Sequence, residues 1–275
     1  EEISLGVWFV QHEMLEANRL QEKFRRNAKK VDEEVRAVLV ERMKQGVALH
    51  EDQTGVFLDI DDVFFGASKH AAWRHLESPY DGIKMQIKYV TEGKKSRIAL
   101  GKAEGVVDCT AEEAAAWYFE YCGRERLYID KSEGNPARLE IKQKEKRVNE
   151  KQFAAVKNMP FPLRKREFVF KHIWRRDDSN SMSVAVWPVD KDIDYGGSLG
   201  KLVTGETKAK FTATNITELE GVPQCKVILL QHLDAGGSIP LKVVESKIPL
   251  SLGSMKELHE TFKKDEDIDE ARIKA

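Results

Sequence analysis

The stretch 227–262 constrains the fold more than any other part of this chain. An apolar strand over 227–233 runs through Asp234, Ala235, Gly236, Gly237 and Ser238 into Ile239, Pro240 and an amphipathic segment that reaches Phe262. Glycine tolerates the backbone angles of a sharp strand exit, and proline suits a first helical turn because its missing N–H is not needed there. The pattern is that of a sheet closed by a terminal helix, expected over 241–263. Val244, Ile248, Leu252, Met255, Leu258 and Phe262 form its apolar stripe, and Pro249 predicts a break or restart within 246–250.

Upstream, strand candidates with period-two patterning occupy 85–89, 95–99, 103–108, 137–144, 151–156, 167–175, 181–189, 206–214 and 224–233. Their separations suit hairpins and contain no crossover helices, so the sheet is expected to be mostly antiparallel. Thr110 with Glu113 is a capping box that opens an alanine-rich helix through Trp117, Tyr118 and Phe119, ending at Gly123. A short strand is expected at 55–60, and a helical or turn segment through His70 and Trp73. Residues 12–45 contain no Pro or Gly, and Phe24, Ala28, Val31, Val35 and Val38 recur at spacings of four and three. This predicts a helix of roughly 50 Å at 1.5 Å per residue. Its stripe either lies on the body of the same chain or seats a partner helix or a second copy. The fold class is α+β, a long curved sheet folded around a helix.

Chemistry is narrowed by what the composition lacks. With 45 Lys and Arg against 46 Asp and Glu, the field is not directed at polyanions, so nucleic acid is not an expected partner. Cys109, Cys122 and Cys225 have no metal-ligand spacing and suit a reducing compartment. The sequon Asn215-Ile216-Thr217 has no secretory context, and no apolar run is long enough for a membrane span. A phosphate-loop pattern starting at Gly200 fails after Gly205. The calcium-loop start at Asp190, Asp192 and Asp194 fails at Tyr195 and Lys201. The seven histidines form no metal framework, and no nucleophile sits beside a base. Neither an enzyme nor a cofactor is indicated.

Four motifs in order carry a family resemblance: Gly101-Lys102-Ala103, the acidic-alanine helix ending in Trp117 and Tyr118, Pro160-Phe161-Pro162-Leu163 before Arg166-Glu167-Phe168-Val169, and Asp234-Ala235-Gly236-Gly237-Ser238-Ile239-Pro240. From about Asp81 to Phe262 the chain resembles the START family, the steroidogenic-acute-regulatory-related lipid transfer domains. The resemblance implies a helix-grip fold, a nine-stranded antiparallel sheet curled around a long C-terminal helix and enclosing a tunnel for one lipid. Ser238 departs from the family pattern, where a Trp or another large residue often stands. The resulting division is an N-terminal helix and linker over 1–48, a START-like domain over 49–264 and a charged tail over 265–275 that is expected to fray.

In that reading the ligand is a sterol, phospholipid, fatty acid or other apolar molecule. Leu252, Met255 and Leu258 form one wall. Phe168, Phe170, His172 and Trp174 share one side of a strand, and Trp174 or Trp187 touches the ligand. A mostly apolar cavity needs a few polar anchors, for which His172, Gln231, His232, Glu140 and Arg138 are candidates, with an internal ion pair among them. Met159, Phe161 and Leu163 form a stiff loop that, with Gly236 and Gly237, gates the mouth. That loop either plugs the core or faces a membrane, with Arg164, Lys165 and Arg166 meeting anionic headgroups. The expected setting is cytoplasmic, with transient peripheral membrane contact. Two other readings stand beside it: an interaction module built on the N-terminal helix, and a cyclase-like enzyme acting on an apolar substrate.

Overall fold

A computed structural model describes residues 2–66, 72–92, 96–143, 145–159, 161–195, 199–236 and 248–274, leaving aside the side chains of 2–18 and 91–98. Helix α1 (Glu2–Gln45) and helix α2 (Glu51–Phe65) precede strands β1 (Arg74–Leu76), β2 (Lys84–Glu92) and β3 (Ser96–Val107). Helices α3 (Ala111–Phe119) and α4 (Arg124–Ser132) follow, then β4 (Ala137–Ile141), β5 (Glu150–Lys157), β6 (Arg166–Arg176), β7 (Ser181–Pro188), β8 (Val203–Leu219) and β9 (Val222–Asp234). Residues 248–251 are helical, 252–253 form a turn, and helices α5 (Ser254–Phe262) and α6 (Asp265–Lys274) complete the described chain.

The strands make one nine-stranded sheet in the order β1-β2-β3-β9-β8-β7-β6-β5-β4, not closed on itself. Sequential neighbours pair antiparallel, and so do β3 and β9. Beyond the end of β7, the start of β6 pairs parallel with β8, Arg166 to Phe168 against Val203 to Gly205. Alternation sorts the side chains onto two faces. The inner face carries Phe153, Phe168, Phe170, Trp174, Val184, Val186 and Phe211, buried with α3 and the C-terminal helices. The outer face carries Leu100, Ile173, Ala185 and Leu230, buried under Val56, Phe57, Ile60 and Phe64 of α2.

Several sequence expectations are corrected here. Residues 55–60 are helical, because Val56, Phe57, Ile60 and Phe64 recur on one helical face that covers the sheet. The separate strands expected at 95–99 and 103–108 are one strand, β3, whose Gly101 and Gly105 do not interrupt pairing with β2 and β9. Of the helical or turn segment expected through His70 and Trp73, His70 lies outside the described residues, Trp73 is in neither helix nor turn, and Arg74–Leu76 directly after it is an edge strand. Helix α4 was not anticipated. The tail beyond Lys264 is helical and anchored by buried Ile268. Of the segment 246–250 expected to hold a break or restart, 246–247 lie outside the described residues and Pro249 lies among helical residues; a further interruption falls at Leu252 and Gly253, where glycine removes about 1 kcal/mol of helix preference relative to alanine.

The α1 stripe is divided. Ala28, Leu39, Val40 and Met43 are buried against the body, whereas Leu20, Phe24, Val35 and Val38 are exposed. Gly236 takes φ +67, and a Cβ there would lie 2.1 Å from the Thr204 carbonyl oxygen, so glycine is required at this strand exit. Gly237 and Ser238 lie outside the described residues.

Candidate functional site

A cavity of about 500 Å³ lies between the inner face of the sheet, α4 and the C-terminal helical segment. The strands contribute Ala155, Phe168, Phe170, His172, Val186, Ala209, Gln231 and Leu233. Helix α4 contributes Arg126, Ile129 and Asp130, and the C-terminal segment contributes Ile248, Leu250, Ser251, Ser254 and Glu257. The capping box seen in the sequence fixes α3 above this space. Thr110 Oγ1 accepts the Glu113 N–H at 3.2 Å, and Glu113 Oε2 accepts the Thr110 N–H at 2.8 Å.

An aromatic column forms one side. Tyr118 stacks on Phe211 with centroids 4.4 Å apart and on the His172 ring at 5.7 Å. Tyr121 meets His172 edge-on at 5.7 Å and Phe170 at 5.0 Å. His172 Nδ1–H donates to the Phe119 carbonyl oxygen at 3.2 Å, which assigns the proton to Nδ1. Burial pushes the His172 pKa down to about 3, so the ring is neutral at ordinary pH.

The polar end is built around two arginines. Arg138, on β4, lies with its guanidinium carbon 3.6 Å from the centre of the Tyr121 ring and 3.6 Å, from Nη1, to Asp130 Oδ1. Arg126 lies 4.2 Å over Trp117, and its Nε is 3.4 Å from Glu257 Oε2, an ion pair whose geometry is not that of a hydrogen bond. Burial, and then Arg138, lower the Arg126 pKa. Asp130 also pairs with Lys157. Among the described residues, Arg126 Nε and Arg138 Nε and Nη2 are buried without a hydrogen-bond acceptor, and Gln231 Oε1 is buried without a donor. An unpaired buried polar group costs about 1–3 kcal/mol, more when charged, so this end of the cavity is suited to a molecule bearing acceptor atoms.

Of the residues singled out in the sequence, Phe170, His172, Gln231, Arg138 and Met159 line the cavity. Trp174 is fully buried beside it, with Nε1–H donating to the Val148 carbonyl oxygen at 3.4 Å. Trp187 is on the outer face beside α2, because the strand alternation turns it away from Val186. Leu252, Met255 and Leu258 are core residues that do not line the cavity; of their stripe Ile248 does, together with Leu250, Ser251, Ser254 and Glu257 of the same helical segment. Glu140 is 45% exposed and pairs with Lys151 outside. Leu163 is half-buried in the loop that exposes Phe161. Sequence reasoning missed Tyr118, Tyr121, Arg126, Asp130, Ser254 and Glu257 as lining groups. The Arg126 and Asp130 spacing of four, just after Gly123, was the available signal.

Among the described residues, no cluster of three or more His, Cys, Asp or Glu is arranged to hold a metal ion, and no helix is long and apolar enough to cross a membrane. No family model and no curated protein matches the chain. Solved structures do. The human StAR-related lipid transfer protein 5 is similar with a TM-score of 0.56 at 17% identity, over 76% of this chain and 97% of that one. The lipid transfer and protein localization domain of human StarD13 matches with a TM-score of 0.53 at 15% identity, over 79% and 99%. A STAR-related lipid transfer protein fragment from Xanthomonas axonopodis gives 0.51 at 17% identity, over 70% and 99%. At such identities the likeness concerns the fold, and with the strand order and the C-terminal helices it establishes that this chain has the START-type helix-grip fold.

Proposed function

We propose that the chain is a noncatalytic lipid-binding module that encloses one amphipathic, largely apolar molecule in the cavity under its C-terminal helical segment. The observation that carries this is the pairing of an apolar wall, from Phe168, Phe170, Val186 and Leu233, with two buried guanidinium groups in which Arg126 Nε and Arg138 Nε and Nη2 lack a hydrogen-bond acceptor, while Arg126 Nη1 donates to the Trp117 carbonyl oxygen at 3.5 Å. A head bearing a carboxylate, phosphate or other acceptor oxygens satisfies Arg126 and Arg138, and the chain lies on the strands. The volume is within the usual range for small-molecule pockets. The lipid-transfer names of the structural neighbours are consistent with this reading. The lipid-binding unit is assigned to 49–264, with 1–48 and 265–275 as flanking helical additions.

Membrane contact is part of the same proposal. Phe161 is 98% exposed, Leu250 is 63% exposed, and Arg164 and Lys165 follow in the same loop as Phe161. This combination of apolar tips and cations suits an anionic lipid surface. A second reading, partner binding through α1, is favoured only by the exposed side chains of Leu20, Phe24, Val35 and Val38.

The test is native mass spectrometry of the intact chain after exposure to a mixed lipid extract, followed by organic extraction. One stoichiometric apolar species is expected, and Val186→Trp is expected to abolish it. Capture of no lipid by the wild-type chain would sink the reading in favour of a sealed interaction domain.

A further inference from the structure

Helix α4 has no cap of its own. Its N-cap position is Gly123, which has no side chain to accept the unpaired N–H groups of the first turn. The acceptor comes from 92 residues upstream: Asp32 Oδ1, on α1, accepts the Arg124 N–H at 2.8 Å. Asp32 Oδ2 accepts the Glu125 N–H at 2.9 Å. Glycine at 123 leaves the room for this approach, since a Cβ there would lie 3.3 Å from Asp32 Oδ2. Arg25 pairs with Glu125 at 3.3 Å, and Phe24 lies against Tyr128 with centroids 6.3 Å apart, tying the same surfaces together.

The next residue in α4 is Arg126. A cation in the first turn of a helix is disfavoured by the positive end of the helix dipole, and a carboxylate at the cap offsets that field. Arg126, Ile129 and Glu257 line both the cavity and a smaller cleft of about 180 Å³ whose far wall includes Asp32 and Arg36 of α1. The long helix is thus separated from the interior by a single layer of side chains.

We propose that Asp32 is a positioning residue of the cavity: it caps α4 from outside and thereby holds the Arg126 guanidinium where the acceptor head of an anionic amphiphile meets it. This rests on the lipid-binding reading above. The cost of ordering the first turn is met in the apo protein by Asp32 rather than at binding, so affinity for the head depends on α1.

The experiment compares oleate, lysophosphatidate and oleyl alcohol by calorimetric titration of the full chain, in wild type and in Asp32→Ala. A lost cap corresponds to a loss of about fivefold in affinity. That loss is expected for both anionic probes, with oleyl alcohol changing by less than about twofold on the same basis. In Asp32→Ala/Gly123→Ser the serine hydroxyl supplies a local cap, and affinity for the anionic probes is expected to return. Equal loss for all three probes, no loss, or loss without rescue by Gly123→Ser each overturns the positioning role. If Asp32→Ala does not fold, Asp32→Asn, which keeps one acceptor oxygen, is read by the same selective loss. Wild type binding none of the probes overturns the lipid reading and this proposal together. Binding of the alcohol alone overturns only the role given to Arg126 and Asp32.

Discussion

Lowering the pH from 7.5 to 5 should destabilise this protein through one identified side chain, His172. Its pKa is depressed from 6.5 to about 3 by burial, with the donated hydrogen bond to Phe119 opposing only part of the shift. Between those values the unfolded chain binds a proton that the folded chain refuses, so stability rises with pH. The contribution is fully present above about 6.5 and is lost progressively as pH falls toward 3. At pH 5 the unfolded histidine is about 1.5 pH units below its own pKa, and at about 1.4 kcal/mol per unit the loss is about 2 kcal/mol. Any folded pKa below about 4 gives the same figure, because the folded form is then still neutral at pH 5. The assay is urea denaturation of wild type and His172→Gln at pH 7.5, 6 and 5. Glutamine donates to the same carbonyl but does not titrate, so it loses the aromatic stacking at every pH yet lacks the histidine slope. Carboxylates contribute equally to both proteins and cancel in the difference. Parallel losses in the two proteins between pH 7.5 and 5 would refute the placement of His172 as a buried neutral imidazole.

Three further outcomes are expected. Arg138→Met should weaken anionic amphiphiles by about tenfold or more while leaving the melting temperature unchanged or raised. It removes a buried charge whose hydrogen bonds are incomplete and leaves Asp130 paired with Lys157. Gly101→Val should cost about 1–3 kcal/mol in chemical denaturation, because the new Cβ would lie 2.9 Å from Ile248 Cγ2 and 3.2 Å from Leu252 Cδ1. Phe161→Asp should reduce lipid exchange with anionic vesicles while leaving equilibrium binding of a soluble amphiphile unchanged, since Phe161 is almost wholly exposed and is not part of the cavity wall.

The fold was legible where local rules and tertiary packing agree. The Thr110 and Glu113 box, the alternation along β6 and the glycine exit after β9 each correspond to an observed element. It was least legible in α2, whose apolar residues crowd one short segment and whose Gly55 weakens a helical reading. Helix α4 was hidden by the glycine before it, which reads equally as the end of one helix or the start of another. The cavity was misread for a different reason. The apolar stripe was assigned to the ligand, yet of its described residues only Ile248 lines the cavity and Leu252, Met255 and Leu258 pack in the core, while Ser251, Ser254 and Glu257 of the same segment line the cavity. A charged residue in a list carries no sign of burial. Arg126 becomes a candidate anchor only once Trp117, Tyr121 and Glu257 are found around it.

The backing of the sheet by α2 has a mechanical consequence. Phe57, Ile60 and Phe64 fill the outer face against Ile173, Ala185 and Leu230, so the strand wall is clamped between two packed layers and has no slack in which to bow outward. In the lipid-binding reading proposed above, room for guests of different length therefore falls to the opposite side, where the helical segment is interrupted at Leu252 and Gly253. In that reading the chamber is a vise whose fixed jaw is the sheet backed by α2, and the facing jaw carries Glu257, the partner of Arg126.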